Sequence, residues 1–477
     1  MAQAQLKSQP KTTAALSDEV FDVAVIGAGV VGCAMARRFT LEGAKVAVIE
    51  KATDILDGAS KANSAILHTG FDAPVGSLEL DCIRKGYAEY ETIMGDLGLV
   101  QEKCGAFVVA WTQAQMNSLT AIEKQAKDNG ISDVSLIDAD ALQQVEPNLS
   151  NRAIAALKVP QESIVDPWSA PYVYLRQALE NGAQVFLSSA VNSGTFDGQN
   201  WLLETDRGRL RTGLVINCAG LYGDILDKDL LGQSDFHITP RKGQFVVYDK
   251  AASGLLNSII LPVPTETTKG VVLFRTVFGN LVVGPTAEDQ TSRKDASTDE
   301  QALKALMREG EDKLPELANM PVTAVYAGLR PASERKEYRI TPRPEKNWIT
   351  VGGIRSTGLS AALGIARHVY ELYQNMGATH RAISDPKTPK ANVLAQSGQR
   401  DWRAAGHGEI ACHCELVTNR EIKAALKGPL AAKSLAGLKR QTRATMGRCQ
   451  GFYCSARLAE LTAGKLDPPI SQEIDDA

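Results

Sequence analysis

A short apolar run that ends in a GxGxxG turn constrains this chain more than any other feature of its sequence. Residues 21–26 are apolar and rich in β-branched side chains, which predicts a buried strand, and Gly27, Gly29 and Gly32 follow at once. Gly27 permits a sharp turn, Gly29 lets a pyrophosphate approach the backbone, and Gly32 lets a helix pack closely on the strand. The spacing therefore predicts the first βαβ unit of an α/β fold that binds a dinucleotide.

The residues after the turn complete this unit. Apolar periodicity predicts a helix from Val30 to about Leu41 that Gly43 ends, and residues 45–49 predict a second strand that leads into Glu50. An acidic residue roughly 20 positions beyond the last glycine can accept hydrogen bonds from a ribose diol. The turn by itself leaves NAD and FAD both open.

Length and charge narrow the class of protein. With 477 residues and a net charge of −3, the chain can bury more than one domain, and no nucleic-acid partner is expected. We expect residues 1–20 to be a disordered tail, because they have neither the apolar core of a signal peptide nor the arginines of a transit peptide. No apolar run reaches the ~20 residues that a membrane-spanning helix needs, so we expect a cytoplasmic protein.

Three later segments favour a flavin over a nicotinamide cofactor. Residues 58–70 are small and polar, residues 214–224 predict a strand that enters a second glycine turn, and residues 347–360 predict a strand, a glycine turn and a helix start. One nucleotide site assembled from several separated pieces suits a large cofactor that is contacted at several strand ends.

These segments resemble those of the FAD-dependent oxidoreductases with the D-amino-acid oxidase fold. Within that family the chain is most similar to L-2-hydroxyglutarate dehydrogenases and to the large subunit of anaerobic glycerol-3-phosphate dehydrogenase. The matching motifs are GAGVVG with Glu50, SKANSAILHTG, KGVVLFRTVFGNLVVGPTAED at 269–289, AGLRPASE at 327–334 and GIRSTGLSAALGIA at 353–366. The resemblance implies a fold of α/β and α+β elements: a Rossmann-like FAD-binding domain with an inserted antiparallel substrate domain.

The resemblance also assigns residues to FAD. The ADP half would be bound by Gly27, Gly29, Gly32 and Glu50, and the pyrimidine edge of the flavin would face a helix N-terminus. The other positions that it implies in the cofactor site are Ser60, Asn63, Ser64, Ala190, Val191, Ala219, Gly220, Gly223, Gly353, Thr357, Gly358 and Leu359.

For catalysis the resemblance implies a site for an anionic substrate and a group that accepts a proton. Arg330 matches the family's anion-binding arginine, and Arg355 is a second candidate, because a planar guanidinium can hold a carboxylate or phosphate with two hydrogen bonds. His68 lies in the flavin-facing stretch and can accept a proton near neutral pH. Weaker candidates are Arg275, Arg335 and His237.

The same motifs predict the domain boundaries. The oxidoreductase would span residues 21–375, with FAD-binding pieces at about 21–90, 150–234 and 336–375 and the substrate domain at about 91–149 and 235–335. A polar stretch with two prolines predicts a linker at 376–405, and a small helical metal-binding domain would occupy 406–477.

Four of the eight cysteines form two close pairs in that last domain, Cys412-x-Cys414 and Cys449-x4-Cys454. Zinc sites usually use C-x2-C spacing, so these pairs favour a [2Fe–2S] cluster over zinc. The segment resembles bacterioferritin-associated ferredoxin, although its second pair is more widely spaced.

Two further patterns belong to this domain. Thr418 predicts the N-cap of a helix that runs to about Leu426, with Glu421 as its capping-box partner. A basic run is interpreted as stabilising the anionic cluster rather than binding nucleic acid, because no aromatic side chains interleave with it. Its members are Lys433, Lys439, Arg440, Arg443 and Arg448.

The sequence thus predicts an FAD-dependent dehydrogenase that oxidises the secondary alcohol of a small anion, either glycerol-3-phosphate or an L-2-hydroxy acid. Electrons would pass through the cluster to a quinone, a second subunit or a carrier protein, with contact to a membrane only through such a partner. Two alternatives stay open: an amino-acid or amine dehydrogenase of the same fold, and a non-catalytic electron-transfer or redox-sensing flavoprotein.

Overall fold

The computed structural model describes residues 15–264 and 270–471. Its strands are β1 Ala15–Ile26, β2 Val46–Ile49, β3 Ile66–Leu67, β4 Gln101–Glu102, β5 Ala106–Ala110, β6 Ser135–Asp138, β7 Ala155–Val159, β8 Ser163–Val165, β9 Gln184–Phe186, β10 Val191–Phe196, β11 Trp201–Thr205, β12 Gly208–Asn217, β13 Ile238–Tyr248, β14 Ile259–Pro262, β15 Val272–Arg275, β16 Leu281–Gly284, β17 Glu288–Asp289, β18 Val322–Ser333, β19 Arg339–Arg343, β20 Trp348–Gly352, β21 Ile410–Cys412 and β22 Val417–Thr418. Its helices are α1 Val30–Leu41, α2 Leu78–Leu97, α3 Gln113–Asp128, α4 Ala139–Val145, α5 Ser169–Glu180, α6 Gly223–Leu231, α7 Glu300–Lys313, α8 Gly358–Asn375, α9 Asn419–Ala425, α10 Leu435–Thr442 and α11 Ser455–Thr462. Over these two ranges no helix combines the length and apolar character that crossing a bilayer requires.

The first sheet is built around β1, the strand that leads into the glycine turn. Strands β9, β2, β1 and β12 are adjacent and parallel. The other edge of β12 pairs with antiparallel β11 along its first half and with parallel β20 along its second half. Because β1, β12 and β20 are parallel neighbours, the turns that follow all three lie at the same edge of the sheet, where such folds bind ligands.

The predicted βαβ unit is confirmed, with a longer first strand. Helix α1 has the predicted bounds, and β2 begins one residue later than predicted. Residues 15–20 were predicted to be disordered, and that prediction is wrong, because the backbone of Ala15 and Val20 pairs with Arg209 and Arg211 of β12. The tail composition could not reveal a partner strand almost 200 residues away. Residues 1–14 of the predicted tail lie outside the described residues.

Side-chain alternation along β1 separates the two faces of this sheet. Val23 and Val25 pack with helices α1, α2, α5 and α8, whereas Ala24 and Ile26 pack on the opposite face with two buried tryptophans, Trp201 and Trp348. The sheet is therefore buried on both sides, as parallel sheets require.

Helices α2 and α8 cross at a backbone contact made by two glycines. A Cβ atom at Gly364 would lie 2.0 Å from the Cys82 carbonyl oxygen, and one at Gly86 would lie 2.2 Å from the Ser360 carbonyl oxygen. Each helix thus presents a glycine to the backbone of the other. This contact fixes where the first turn of α8 stands over the sheet edge.

The second sheet is antiparallel except at one pair of strands. Its order is β17, β13, β16, β15, β14, β5, β7 and β6, with β18 along the other edge of β13 and with β14 and β5 parallel. Helix α3 packs on one face, and α4 and α7 pack on the other. This sheet corresponds to the predicted antiparallel substrate domain.

Two predicted boundaries of that domain differ from the structure. Helix α2 runs across the boundary at residue 91 to Leu97, and its buried side belongs to the core of the first sheet. Strand β7 was placed in an FAD-binding piece, but it pairs with β5 and β6 in the second sheet. The chain crosses between the two sheets within single elements and short turns, so no change in composition marks these crossings.

A small third sheet connects the two larger ones. Strand β8 pairs with β3 on one side and with β4 on the other, both antiparallel. Its register sets Ile66 opposite Ile164 and Leu67 opposite Ser163. Residues that follow β3 and precede β8 are therefore brought together, which matters for the site described below.

The predicted linker carries no helix or strand longer than the 3₁₀ turn Asp401–Arg403, yet it is closely packed. Leu394 and Ala395 are buried in the core of the second sheet. A hairpin of β21 and β22 and helices α9, α10 and α11 follow, and the capping box of Thr418 and Glu421 is present as predicted. We call residues 406–471 the cluster domain.

The glycine contact between α2 and α8 yields a test of the fold. We expect Gly364→Ala to lower the free energy of unfolding by about 1–3 kcal/mol, because the atom it would strike belongs to rigid backbone. Gly95→Ala is the matched control: Gly95 lies in α2 with open space around it, so the change should stabilise by about 0.5–1 kcal/mol. Urea unfolding followed by circular dichroism measures both, and equal effects at the two positions would contradict the close crossing.

Candidate active site and cysteine cluster

The two glycine turns after β1 and β12 lie against each other. The Cys218 amide donates to the Ile26 carbonyl oxygen at 2.9 Å, and a Cβ atom at Gly27 would lie 2.5 Å from the Cys218 carbonyl oxygen. Gly27 also has a φ of +105°, a conformation that side chains disfavour. A Cβ atom at Gly32 would lie only 1.9 Å from the Gly27 carbonyl oxygen. The roles predicted for Gly27 and Gly32 therefore have a direct steric basis.

Glu50 closes this turn from the end of the neighbouring strand. One carboxylate oxygen accepts from the Ala28 amide at 2.7 Å and the other from the Ala52 amide at 2.8 Å. Burial raises the pKa of Glu50, and these two amides act against that rise. Each oxygen has a further lone pair, so a ribose hydroxyl can donate to the same carboxylate.

Ser60 stands at the N-terminus of α1, where Gly29 is the N-cap residue. The Val30 amide donates to the Ser60 hydroxyl oxygen at 3.0 Å. A Cβ atom at Gly29 would lie 3.1 Å from that hydroxyl oxygen. A phosphate at this helix end would meet amide donors and a serine hydroxyl together, which is the chemistry that binds anions at helix N-termini.

The stretch from Asn63 to Ala65 turns the chain from Ser60 into β3. The Ala65 amide donates to the Asn63 side-chain oxygen at 2.7 Å, and Ser64 lies between them. The Tyr326 hydroxyl of β18 donates to the Asn63 carbonyl oxygen at 2.9 Å. This stretch is thereby held against a strand of the second sheet.

The first turn of α8 lies beside this stretch. Helix α8 begins at Gly358, followed by Leu359, and its N-cap residue Thr357 is buried and donates to a carboxylate oxygen of Glu79 at 2.7 Å. The preceding Gly353 has a φ of +67°. We call residues 27–32, 58–68, 218–223 and 353–360 the FAD cradle.

His68 connects the cradle to a buried carboxylate that the sequence analysis missed. The His68 Nδ1 atom lies 2.8 Å from a carboxylate oxygen of Glu162, and the His68 amide donates to the Ser360 hydroxyl at 2.8 Å. The other Glu162 oxygen accepts from the Thr69 amide and hydroxyl at 2.7 and 2.8 Å. His68 is therefore fixed from two sides.

The predicted anion-binding arginines meet at one place. Arg330 lies on β18, and Arg241 and Arg355 lie close enough to act on its charge. Burial lowers the pKa of Arg330 to about 10, with Arg241 and Arg355 contributing, so the group is cationic at neutral pH. Arg241 forms a two-point ion pair with Asp289 at 2.6 and 2.9 Å.

This arginine group carries more positive than negative charge. Arg330 donates to the Thr286 carbonyl oxygen at 2.7 Å, and the buried Nε atom of Arg355 has no hydrogen-bond partner in the described part of the chain. An anionic group is the ligand that this arrangement suits.

The remaining predicted residues have the following positions. Gly220 follows Ala219 and begins the 3₁₀ turn Gly220–Tyr222, and Gly223 then begins α6. Ala190 and Val191 follow Ser189, whose amide donates to the Glu50 carbonyl oxygen at 2.8 Å. Arg275 donates to the Asn257 carbonyl oxygen, Arg335 is exposed, and His237 lies beside Asp224.

The cradle fits FAD on its own geometry. Gly27 and Gly32 have no room for a Cβ atom, so the backbone itself forms the surface of the turn. The N-terminus of α1, where Ser60 accepts from an amide, suits the pyrophosphate. Glu50 stands where a ribose is expected. The residues that would hold the cofactor are Gly27, Gly29, Gly32, Glu50, Ser60, Ala219 and the first turn of α8. These assignments to FAD stay predictions.

The four cysteines of the cluster domain converge in two contacting pairs. Cys414 lies beside Cys449, and Cys412 lies beside Cys454. Cys412 and Cys454 are buried in the domain core, whereas Cys414 and Cys449 are partly exposed. Gly447 lets the loop that carries Cys449 approach Cys414 closely, since a Cβ atom at position 447 would lie 2.4 Å from the Cys414 Cβ atom.

Hydrogen-bond donors around Cys449 favour its thiolate form, whereas burial raises the pKa of Cys414 and of Cys454. Amide donors of Tyr453, Gly451 and Phe452 lower the pKa of Cys449, with Tyr453 contributing most among them. Within residues 15–264 and 270–471, no three His, Cys, Asp or Glu side chains form a site for a single metal ion. A [2Fe–2S] cluster divides its four thiolates between two irons, and two close pairs of cysteines are a donor set of that kind.

The basic residues of this domain attach it to the rest of the protein. Arg448 holds the pKa of Asp249 at about 2 through a two-point ion pair at 2.6 and 2.9 Å. Arg443 donates to buried Glu415 at 2.9 Å, and its guanidinium lies 3.9 Å from the centre of the Phe278 ring. The sequence analysis assigned these arginines to the cluster charge; their closest partners are carboxylates and an aromatic ring.

Glu415 lies next to a cluster cysteine and is almost fully buried. Burial opposes its ionisation, yet Arg443 and Lys250 together keep its pKa below the ordinary value. On the opposite side of the domain, the Ser434 hydroxyl donates to Asp54 at 2.7 Å. Glu162, Glu415 and Asp54 were not identified from the sequence, because an isolated carboxylate carries no motif and gains its role from distant residues.

Comparison with known proteins agrees with this division of the chain. Residues 22–372 match the family model described as FAD dependent oxidoreductase, and residues 410–463 match the BFD-like [2Fe-2S] binding domain. A glycerol 3-phosphate dehydrogenase of Caloramator mitchellensis is 32% identical over 95% of this chain and 96% of its own length. A relative from Escherichia coli K12, named as one subunit of the anaerobic glycerol-3-phosphate dehydrogenase, is 24% identical over 92% of this chain and 87% of its own length.

A solved structure shows the same fold. The dithionite-reduced L-α-glycerophosphate oxidase of Mycoplasma pneumoniae, with FAD bound, superposes with a TM-score of 0.73 and 26% identity. The superposition covers 79% of this chain and all of the oxidase. The predicted fold class, the FAD cofactor and the [2Fe–2S] cofactor are thus confirmed.

The steric role of Gly32 can be tested by flavin content. We expect Gly32→Ala to lose most bound FAD, because its methyl group would overlap the Gly27 carbonyl oxygen and push α1 off the strand. Gly254→Ala, outside the FAD cradle, is the control, since no atom lies within 4 Å of a Cβ atom at that position. The ratio of flavin to protein absorbance after gel filtration is the measurement, and full retention of flavin in Gly32→Ala would contradict the assigned cradle.

The cysteine assignment can be tested by iron content. We expect serine at Cys412, Cys414, Cys449 or Cys454 to remove most iron and acid-labile sulfide, because a neutral hydroxyl is a poor ligand compared with a thiolate. Cys104→Ser, outside the cluster domain, should retain both. Chemical analysis of anaerobically purified protein decides, and an iron content unchanged in all four variants would reject the assignment.

Proposed function

We propose, from the premise that this chain belongs to the FAD dependent oxidoreductase family, that it oxidises glycerol-3-phosphate and sends the electrons to an acceptor other than oxygen. FAD, when bound, takes up the hydride, and the cluster passes electrons on singly. The observation that carries the proposal is the group of three arginines with one carboxylate beside the FAD cradle. The steps below concern what the residues of this chain contribute.

The arginine group provides the binding energy for the substrate anion. Gly328, two residues before Arg330 on β18, faces Ala62 so closely that a Cβ atom there would lie 2.8 Å from that residue. Arg355 lies in the turn between β20 and α8. Both guanidiniums are therefore at the border between the second sheet and the cradle. A phosphate with its two negative charges suits several guanidiniums better than a single carboxylate does.

His68 is the proton acceptor in this proposal. It follows β3 in the same stretch as Ser60, and its amide is bound to Ser360 in the first turn of α8. Loss of hydride from the carbinol carbon requires that its hydroxyl give up a proton, which a neutral imidazole can accept near neutral pH. A substrate held by Arg330 with its alcohol carbon toward the cradle would present that hydroxyl to His68.

The cluster domain favours a dehydrogenase over an oxidase. A reduced flavin that reacts with oxygen needs no further electron carrier, whereas this chain keeps four cysteines in a domain that is attached to the residues after β13 by the ion pairs of Arg448 with Asp249 and of Lys250 with Glu415. Phe452 and Tyr453 lie between the second pair of cysteines and are 81% and 78% exposed. Exposed apolar side chains of this kind are typical of protein contact surfaces. We infer that the acceptor is a partner protein, as the word subunit in the name of the E. coli relative suggests, with a quinone as the alternative.

Other substrates are distinguished by the same arrangement. An L-2-hydroxy acid offers a carboxylate to Arg330 and a secondary alcohol to His68, so it is the second candidate. An amino-acid or amine substrate would add a cation near Arg330 and Arg355, which the arginine group disfavours. The cytoplasmic location, with membrane contact only through a partner, stays a prediction.

Anaerobic reduction of the flavin tests the proposal. We expect glycerol-3-phosphate to bleach the flavin absorbance of the purified protein, with cluster reduction following, and L-2-hydroxyglutarate and amino acids to do so more slowly or not at all. Arg330→Met should lower kcat/KM by roughly 10²- to 10³-fold, because a buried charged contact to the substrate is lost. Arg335→Met, on an exposed arginine five residues along, is the matched control.

Each outcome has a defined meaning. Bleaching by L-2-hydroxyglutarate alone would transfer the assignment to the hydroxy-acid class, and bleaching by an amino acid alone would overturn the role of the arginines. No bleaching by any of these compounds would favour an electron-transfer flavoprotein. Fast reoxidation by oxygen with hydrogen peroxide release would contradict the dehydrogenase assignment.

A further inference from the structure

The pairing of β3 with β8 places Glu162 opposite His68. The antiparallel register joins Ile66 to Ile164 and Leu67 to Ser163, so the next pair in that register is His68 with Glu162. The backbone register thus brings the two residues opposite each other, within reach of a side-chain contact.

The Glu162 side chain is fully buried, and its hydrogen-bond contacts in the described structure are all made with residues 68 and 69. It accepts from the Thr69 amide and hydroxyl on one oxygen and contacts His68 Nδ1 on the other. An ionised carboxylate can only accept hydrogen bonds, so an ionised Glu162 would require that the Nδ1 atom of His68 carry the proton.

Several groups among the described residues stand near this pair, and one of them is Arg275 of β15, which lowers the pKa of the neighbouring Cys104 thiol. On the β4 side of β8 stand Glu102 and Cys104, and burial raises the pKa of Cys104 to about 11, which keeps the thiol neutral. Across the ranges that the structure describes, the ion pairs show His68 as the partner of Glu162. A buried carboxylate whose cationic partner is a histidine gains stability when that histidine takes up a proton.

We propose that Glu162 is a positioning residue that fixes His68 in the tautomer with its proton on Nδ1, so that Nε2 is the atom that accepts the substrate's hydroxyl proton. The inference rests on the proposed function, in which His68 accepts the proton. It adds which nitrogen atom of His68 accepts the proton and which residue orients the ring. The step balances: the carbinol C–H bond breaks and its hydride passes to FAD, while the hydroxyl proton passes to Nε2 and the carbonyl forms. Glu162 then faces an imidazolium, whose charge it offsets without itself taking the proton.

Glu162→Gln is the informative substitution. The Thr69 amide and hydroxyl require an acceptor, so the new amide oxygen takes that place and the amide nitrogen faces His68 Nδ1. The ring must then accept at Nδ1 and carry its proton on Nε2, which removes the base. Glu162→Asp keeps the negative charge, and Thr69→Val removes one donor while leaving the carboxylate and the histidine in place.

The tautomer can be read directly by nitrogen-15 NMR of histidine-labelled holoenzyme. The chain has six histidines, and His68→Asn identifies the His68 signals by their loss. We expect a protonated Nδ1 in the wild type, in Glu162→Asp and in Thr69→Val, and a protonated Nε2 in Glu162→Gln. A wild-type His68 with its proton on Nε2 would overturn the proposal, whether or not any variant folds.

Flavin reduction supplies a second readout. We expect Glu162→Gln to slow anaerobic reduction about 10²-fold or more, the usual contribution of a general base, with Glu162→Asp recovering most of the rate. The acid limb of the residual rate in Glu162→Gln should move down by about 1–2 pH units, because the imidazolium loses its carboxylate partner. If the acid limb does not move, or if Glu162→Gln and Glu162→Asp lower the rate of flavin reduction equally, Glu162 has only a structural role.

The two proposals fail in different ways. If no small anion bleaches the wild-type flavin, the proposed function fails, and the NMR experiment still decides whether Glu162 sets the tautomer. If glycerol-3-phosphate bleaches the wild type and Glu162→Gln equally, the function stands and the positioning role is rejected.

Discussion

The parallel pairing of β12 with both β1 and β20 is the constraint on which the FAD cradle depends. It joins three segments that are separated by more than 100 residues in the sequence and sets their glycine turns at one edge of the sheet. At that edge the turn after β1 touches the turn after β12 so closely that Gly27 has no room for a side chain. The turn after β20 then leads into α8, whose place is fixed by the glycine crossing with α2. A shift of one residue in any of these pairings would exchange the faces of a strand and separate the turns.

The candidate active site arises where three sheets meet. The first sheet supplies the cofactor turns, the second supplies Arg330 and Arg241, and the small sheet of β3, β4 and β8 supplies His68 and Glu162. Each group is carried by a strand or by a residue next to one, which holds side chains more rigidly than a long loop would. The cluster domain is attached to the same body by partly buried charge pairs, among them Lys250 with Glu415 and Arg440 with Asp57. Such contacts favour a constant separation between the cradle and the four cysteines.

Much of this arrangement could be predicted from the sequence, because its strongest signals are local. The strand, helix and acid around GAGVVG interact within 30 residues, and the capping box at Thr418 lies within a single turn. The spacing of the two cysteine pairs is enough to predict an iron–sulfur cluster. Predictions that depended on residues far away in the sequence were less accurate. Residues 15–20 look like a polar tail until β12 is placed beside them, and the domain boundary at residue 91 overlooks that α2 continues across it.

The sequence by itself determined the kind of cofactors and the segments that hold them, since glycine spacing, a helix N-terminus and paired thiols express their chemistry over a few residues. Only the tertiary structure decided which charges stand together. That Glu162 faces His68, that Arg241 and Arg355 join Arg330, and that Arg443 and Arg448 bind carboxylates follows from strand register and sheet order. These are contacts between residues far apart in the chain, and their energy depends on a distance and on exclusion of water that no local pattern encodes.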